Sequence, residues 1–183
     1  MKNTLVLGGT GMLKGLVLKL LDEHFRVFVV GRNAAKFSGL ETMAGARAPY
    51  LTFMALDYHE LGRLEQWVAH LQLMHGPLDV VVAWIHGGYT GVIETVDREV
   101  GLYRVSPWDL YHVQGIRASV SSEPKPAVAP NCRYHRVVLG YVDVGSETRW
   151  LHHEEIVQGV YDAVMKRRDA VVGTVEPYEG RPG

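Results

Sequence analysis

The chain has 183 residues, enough for one domain with a sizeable core and too few for two. Hydrophobic residues make up 47% and charged residues 21%, the balance of an ordinary soluble globular protein. A formal net charge of -1 gives no ground for a nucleic-acid or membrane-surface partner.

Strand and helix patterns alternate along the chain. NTLVLG (3–8) is a short apolar run, and GMLKGLVLKLLDEH (11–24) then carries Leu13, Leu16, Val17, Leu20 and Leu21 at helical spacing. RVFVVG (26–31) is a β-branched strand, RNAAKFSGLETMAG (32–45) a weak short helix, and YLTFMALD (50–57) a third strand. HELGRLEQWVAHLQLMHG (59–76) is an amphipathic helix ended by Gly76-Pro77. LDVVVAWIHG (78–87) is the most apolar strand, and its continuous apolarity predicts burial on both faces, as in a parallel sheet.

Beyond residue 87 the rhythm loosens. TGVIETVDREVG (90–101) is at best a short helix, and WDLYHVQG (108–115) is a fifth strand. ASVSSEPKPAVAPNC (118–132) holds three prolines and reads as loop, because proline removes a donor and clashes inside a helix. RYHRVVLGYVDV (133–144) reads as one sixth strand, LHHEEIVQGVYDAVMKRR (151–168) as a helix with an acidic start and basic end, and AVVGTV (170–175) as a last strand. The expectation is an α/β, doubly wound Rossmann-type domain over 1–176, with a polar tail at 177–183. Its sheet is mostly parallel with about six to seven strands, helices lie on both faces, and one crossover helix is reduced to loop.

LVLGGTGMLKG (5–15) carries the first functional signal. A glycine-rich turn between strand and helix brings backbone N–H groups to a helix N-terminus, where a diphosphate binds. Gly8, Gly9, Thr10, Gly11, Met12 and Leu13 form that turn, with Lys14 at the usual third glycine position and Gly15 one place late. At the end of the second strand, where NAD-binding proteins usually carry a carboxylate for the ribose 2′-hydroxyl, this chain has Arg32-Asn33. A guanidinium suits a 2′-phosphate, which favours NADP(H) over NAD(H). Asp57, after the third strand, could accept from the adenine amino group or cap the helix that follows.

LVLGGTGMLKG, VVGRN, ALDY and LDVVVAWIHG together resemble the short-chain dehydrogenase/reductase superfamily, in particular its compact atypical members. RVVLGYV, WLHHEEIVQGVYDAVM and VVGTV look like that family's sixth strand, following helix and last strand. The resemblance implies an NAD(P)-binding Rossmann-type fold. Two departures limit what it implies about activity. The fourth strand ends Ala83-Trp84-Ile85-His86-Gly87 where the family has Asn-Asn-Ala-Gly, and no Tyr-x-x-x-Lys exists anywhere in the chain. The Tyr that donates a proton and the Lys that lowers its pKa are both missing.

Other candidates lie on the rim expected beyond the carboxyl ends of the strands. His86 is a candidate general acid, with a hydrogen-bonded loop histidine as the simpler reading. Ser119 matches the place of the family's serine loosely, with Ser121 and Ser122 beside it. Trp84 could flank the nicotinamide or sit in the core. His152-His153-Glu154-Glu155 lacks metal-ligand spacing and reads as a charged helix start, so no metal is expected. Cys132, the single cysteine, has no nucleophile context and points to a reducing, cytoplasmic compartment. There is no membrane-length apolar run and no signal peptide. A bare apolar sheet face beside the Pro-rich loop would call for a partner, most simply a homodimer. Two functions follow: an NADP(H)-dependent oxidoreductase acting on a small carbonyl-type substrate, or a dinucleotide-binding sensor that has lost catalysis.

Overall fold

The computed structural model describes residues 1–85, 91–121 and 125–183. Its sheet is built around β1 (Asn3–Leu7), whose five residues are all buried. A strand covered on both faces needs apolar or hydrogen-bonded side chains throughout, and NTLVL meets this. The one amide, Asn3, donates to the carbonyls of His75, Gly76 and Pro77.

Parallel neighbours flank β1 on both sides: β2 (Arg26–Gly31) and β4 (Val80–Trp84). Beyond β2 lies β3 (Leu51–Ala55); beyond β4 lie β5 (Trp108–Gly115), β6 (Cys132–Leu139) and β9 (Ala170–Val172). The seven-stranded order is β3-β2-β1-β4-β5-β6-β9, parallel throughout. The chain therefore steps outward from β1, returns beside it at β4 and builds the other half. That reversal opens a crevice beyond the carboxyl ends of β1 and β4.

Side chains alternate between two cores. α1 (Lys14–Asp22), α2 (Ala34–Ala44) and α6 (His153–Lys166) cover one face, packing on Val6, Val27, Val29 and Val82. α3 (Leu61–His75) and α4 (Gly91–Tyr103) cover the other, packing on Leu5, Leu7, Phe28 and Val81. The doubly wound Rossmann-type fold is as the sequence predicts. No described helix is long and apolar enough to cross a membrane.

Four local expectations change. The weak pattern at 90–101 is a full helix of 13 residues, α4. Val92, Ile93, Val96 and Val100 form a stripe that packs beside α3, and this burial outweighs the poor propensity of its Gly, Thr and Val residues. The supposed single strand 133–144 breaks at Gly140. There β6 ends and the chain leaves the sheet as β7 (Tyr141–Asp143), paired antiparallel with β8 (Thr148–Trp150). A Cβ on Gly140 would meet the Thr174 carbonyl oxygen, and Tyr141 exchanges backbone bonds of 2.9 and 2.8 Å with Thr174. Residues 177–180 are docked: Tyr141 Oη donates to the Pro177 carbonyl at 2.7 Å, and a short 3-10 turn spans Tyr178–Gly180.

The fourth change concerns the β5–β6 crossover. Among its described residues it is reduced as predicted, to α5 (Arg117–Val120) and chain without helix or strand. The face it leaves is not apolar. His112, Gln114, Tyr134 and Arg136 stand there, joined by His112–Tyr134 and Arg136–Gln114 hydrogen bonds of 2.7 and 3.1 Å. Arg136 also donates to the Ala118 carbonyl at 2.6 Å. Among the described residues the ground for a second copy covering an apolar patch is therefore removed.

Candidate functional site

The glycine turn lies at the point where strand order reverses. Gly8 follows β1 with φ +87°, a left-handed conformation that a side chain strains, and its N–H donates to Val30 at 3.2 Å. A Cβ there would come within 3.2 Å of the Trp84 carbonyl oxygen. Gly9 is a packing glycine: a Cβ would stand 3.0 Å from both Val6 and Val29 and 3.1 Å from Val17, so it lets α1 lie close on the strands. Thr10 is packed against the end of β2, its Oγ1 2.8 Å from where a Cβ on Gly31 would stand. Gly11 is exposed, and a Cβ would meet nothing nearer than the Gly8 carbonyl at 3.9 Å.

α1 starts at Lys14, three residues later than its apolar pattern suggests, with Leu13 as its N-cap. A leucine has no side-chain acceptor; the Lys14 N–H donates to the Gly11 carbonyl at 3.0 Å and the Val17 N–H to the Leu13 carbonyl at 3.2 Å, which leaves the Gly15 and Leu16 N–H groups for water or an anion. Leu13 itself is fully buried and Met12 packs on the core, so Leu13 can serve a ligand only through its backbone. The late glycine has a different role from the diphosphate approach. A Cβ on Gly15 would stand 3.1 Å from Val157, so Gly15 seats α1 against α6.

Arg32, Asn33 and Asp57 gather at the ends of β2 and β3. Arg32 is 79% exposed and its Nη1 lies 4.0 Å from Asp57 Oδ2. Asn33 caps α2, its Oδ1 accepting from the Lys36 N–H at 3.0 Å. Asp57 is not the cap of α3, which begins at Leu61 behind Glu60. Its Oδ1 instead accepts from the His59 N–H at 3.0 Å and faces His59 Nδ1 at 2.9 Å. These hydrogen bonds hold its carboxyl below the usual range, with Arg32 adding a smaller electrostatic pull.

A cavity of about 850 Å³ opens beyond the carboxyl ends of β4, β5 and β6. Trp84 joins it to the turn, since it lines the cavity and also meets Gly8. The wall is largely apolar, with Ile85, Ile116, Leu139, Trp150 and Ile156; the polar groups are His112, Gln114, Arg117, Ser121 and Tyr178. Tyr178 comes from the segment read as a tail. His112 is 5% exposed, and its Nδ1 lies 2.7 Å from Tyr134 Oη. Burial, with Arg136 adding to it, lowers the His112 pKa to about 4, so the ring is neutral near pH 7. Burial pushes the Tyr134 phenol up to about 12.

Of the rim candidates, Ser121 reaches this cavity. Ser119 does not line it; its Oγ donates to the Ile116 carbonyl at 2.7 Å, a local turn bond. His86 and Ser122 lie outside the described residues. Cys132 is buried, and burial together with the nearby Asp97 raises its thiol pKa, so it is no nucleophile. Glu155 is held by Arg149 through two bonds of 2.9 Å and accepts from the His152 N–H at 2.8 Å, which makes it part of a helix start. Among the described residues no group of three His, Cys, Asp or Glu could hold a metal ion. His112 and Gln114 belong to no motif; their one signal is that they are polar residues in the carboxyl half of a largely buried strand.

No family model matches the chain, and no curated protein matches it. Solved structures do. A short-chain dehydrogenase/reductase of the glucose/ribitol dehydrogenase type from Brucella melitensis superposes with a TM-score of 0.72 at 10% identity, covering 94% of each chain. An alcohol dehydrogenase from the archaeon Thermococcus sibiricus, complexed with 5-hydroxy-NADP, gives 0.70 at 15% identity over 100% of this chain and 99% of that one. RhlG from Pseudomonas aeruginosa, in an NADP active-site complex, gives 0.65 at 13% identity over 94% of each. Likeness at such identities establishes the fold, which is the one these dehydrogenases and reductases share.

Proposed function

We propose that this chain, built on the Rossmann-type fold of the short-chain dehydrogenase/reductase structures, is a compact, atypical member of that superfamily. In this reading it binds NADP(H) and acts as an oxidoreductase on a small carbonyl-type substrate. The observation that carries the reading is the open turn at the switch point. Gly11 leaves its surroundings clear to 3.9 Å, α1 begins without a side-chain cap, and Trp84 connects the turn to a cavity. A cradle of this kind fits a diphosphate.

In that reading the backbone from Gly8 to Leu13 holds the diphosphate. The exposed Arg32 guanidinium binds the 2′-phosphate, and the Asn33 amide stands beside it. Asp57 offers Oδ2 to the adenine amino group while His59 fixes Oδ1. The dinucleotide supplies the hydride when bound. The protein's share is to hold the substrate near Trp84 and keep it from water with the apolar cavity wall.

The sensor reading keeps one specific support. The crossover that would carry a Tyr-x-x-x-Lys helix holds, among its described residues, one helix of four residues, α5. Calorimetric titration with NADPH and NADH, followed by a panel of carbonyl compounds, separates the readings. NADPH binding with turnover supports the enzyme, binding with no turnover the sensor, and no binding of either dinucleotide overturns both.

A further inference from the structure

His112 lines the cavity with Tyr134 behind it, and the proposed dinucleotide contacts use neither. Tyr134 is half-buried, and its hydroxyl has one partner among the described residues, His112 Nδ1 at 2.7 Å. A phenol O–H is a stronger donor than a neutral imidazole N–H, and an unprotonated imidazole nitrogen a stronger acceptor than a phenol oxygen. Tyr134 therefore donates to Nδ1, and the neutral ring carries its proton on Nε2. No described residue bonds Nε2, which is not among the sealed and unsatisfied atoms of the interior. It opens to the cavity that His112 lines.

Gln114 repeats the pattern two residues along the same face of β5. Its Oε1 accepts from Arg136 Nε at 3.1 Å, which turns its NH₂ group away from Arg136, and Gln114 also lines the cavity. Both side chains are thus fixed by β6 as donors. No carboxylate lines the wall among the described residues, and the one cation, Arg117, is exposed.

The geometry points to His112, oriented by Tyr134, as the group that receives the carbonyl oxygen of a small, neutral, largely apolar aldehyde or ketone, with Gln114 as the second donor. His112 would then be a catalytic residue that stabilises negative charge developing on that oxygen, as a neutral imidazole does elsewhere, while the bound dinucleotide would supply the hydride and water reaching the cavity the proton that completes the alcohol. Tyr134 is a positioning residue that selects the tautomer. The assignment rests on the oxidoreductase reading for its chemistry, but its binding half stands without the dinucleotide.

The test uses the full chain with ¹⁵N-labelled histidine and acetophenone as a neutral aryl ketone probe. The expected results are an Nε2-protonated His112, a shift of its Nε2 resonance on adding acetophenone, and at least roughly tenfold weaker probe binding in His112→Phe. His112→Gln, which keeps a donor, should recover most of the affinity and is the variant to use if His112→Phe does not fold. Tyr134→Phe should release the tautomer and move the His112 ring resonances. An Nδ1-protonated ring, no acetophenone binding by the native protein, or equal binding by His112→Phe and His112→Gln would overturn the assignment. NADPH affinity is measured on the same samples and should change less than about twofold. Acetophenone binding at His112 with no dinucleotide binding would sink the oxidoreductase reading and leave this site standing.

Discussion

Gly8 faces the backbone of Trp84 across the gap between β1 and β4, so closely that a Cβ on Gly8 would stand 3.2 Å from the Trp84 carbonyl oxygen. The contact ties the turn to the strand that leads into the cavity. Gly8 also has φ +87°. Gly8→Ala should cost about 2 kcal/mol of stability, from left-handed strain and the backbone contact together. Urea unfolding of the variant against the native chain measures it; an unchanged midpoint would refute the strain argument.

Gly11 should behave in the opposite way. A Cβ there meets nothing closer than 3.9 Å, so Gly11→Val should fold with stability within about 0.5 kcal/mol of native. Its branched side chain would stand where a diphosphate must approach the backbone. NADPH affinity should fall roughly tenfold or more. Calorimetry beside a denaturation curve reads both. Unchanged affinity would mean that the turn does not hold the cofactor.

Arg32 is exposed, and its ion pair with Asp57, at 4.0 Å, is too weak to hold it structurally. Arg32→Ala should leave the fold intact, weaken NADPH binding roughly tenfold and leave NADH binding unchanged. Raising salt should narrow the gap between the two cofactors in the native protein. Equal losses for both dinucleotides would remove the case for a 2′-phosphate site.

His112 makes stability depend on pH with a definite sign. Its folded pKa of about 4 lies below the ordinary value of 6.5, so between the two the unfolded chain binds the extra proton. Stability contributed by the neutral ring is present above pH 6.5 and lost as pH falls toward 4, by up to on the order of 3 kcal/mol. Among the described residues the groups facing the ring are Tyr134, which stays protonated in this window, and the Arg136 guanidinium. His112→Gln should flatten the slope relative to native when unfolding is followed from pH 7 to 4. Parallel slopes in the two proteins would show that His112 is not buried neutral.

Sequence reading reached furthest where cause and effect are neighbours in the chain. The strand–glycine–helix unit at 3–22 is legible because turn chemistry and apolar period act over a few residues. The prolines of 118–132 rule out the family's catalytic helix for the same local reason. Reading failed where the partner is distant. Gly15 resembles a displaced diphosphate glycine until Val157 on α6 is seen against it, and the break at Gly140 is set by the Thr174 carbonyl, just past β9. The crossover was expected to leave an apolar face, but the side chains there are decided by which residues of β5 and β6 stand in register: His112 beside Arg136 and Leu110 beside Tyr134.

By itself, then, the sequence determined the doubly wound α/β class, the glycine turn and the absence of a Tyr-x-x-x-Lys pair, since each is written in residue type and short-range spacing. Only the tertiary structure decided that His112 and Gln114 line a cavity and that the supposed tail brings Tyr178 to its wall. A hydrogen bond between parallel strands joins residues far apart in the chain, and no period in the sequence records which ones will meet.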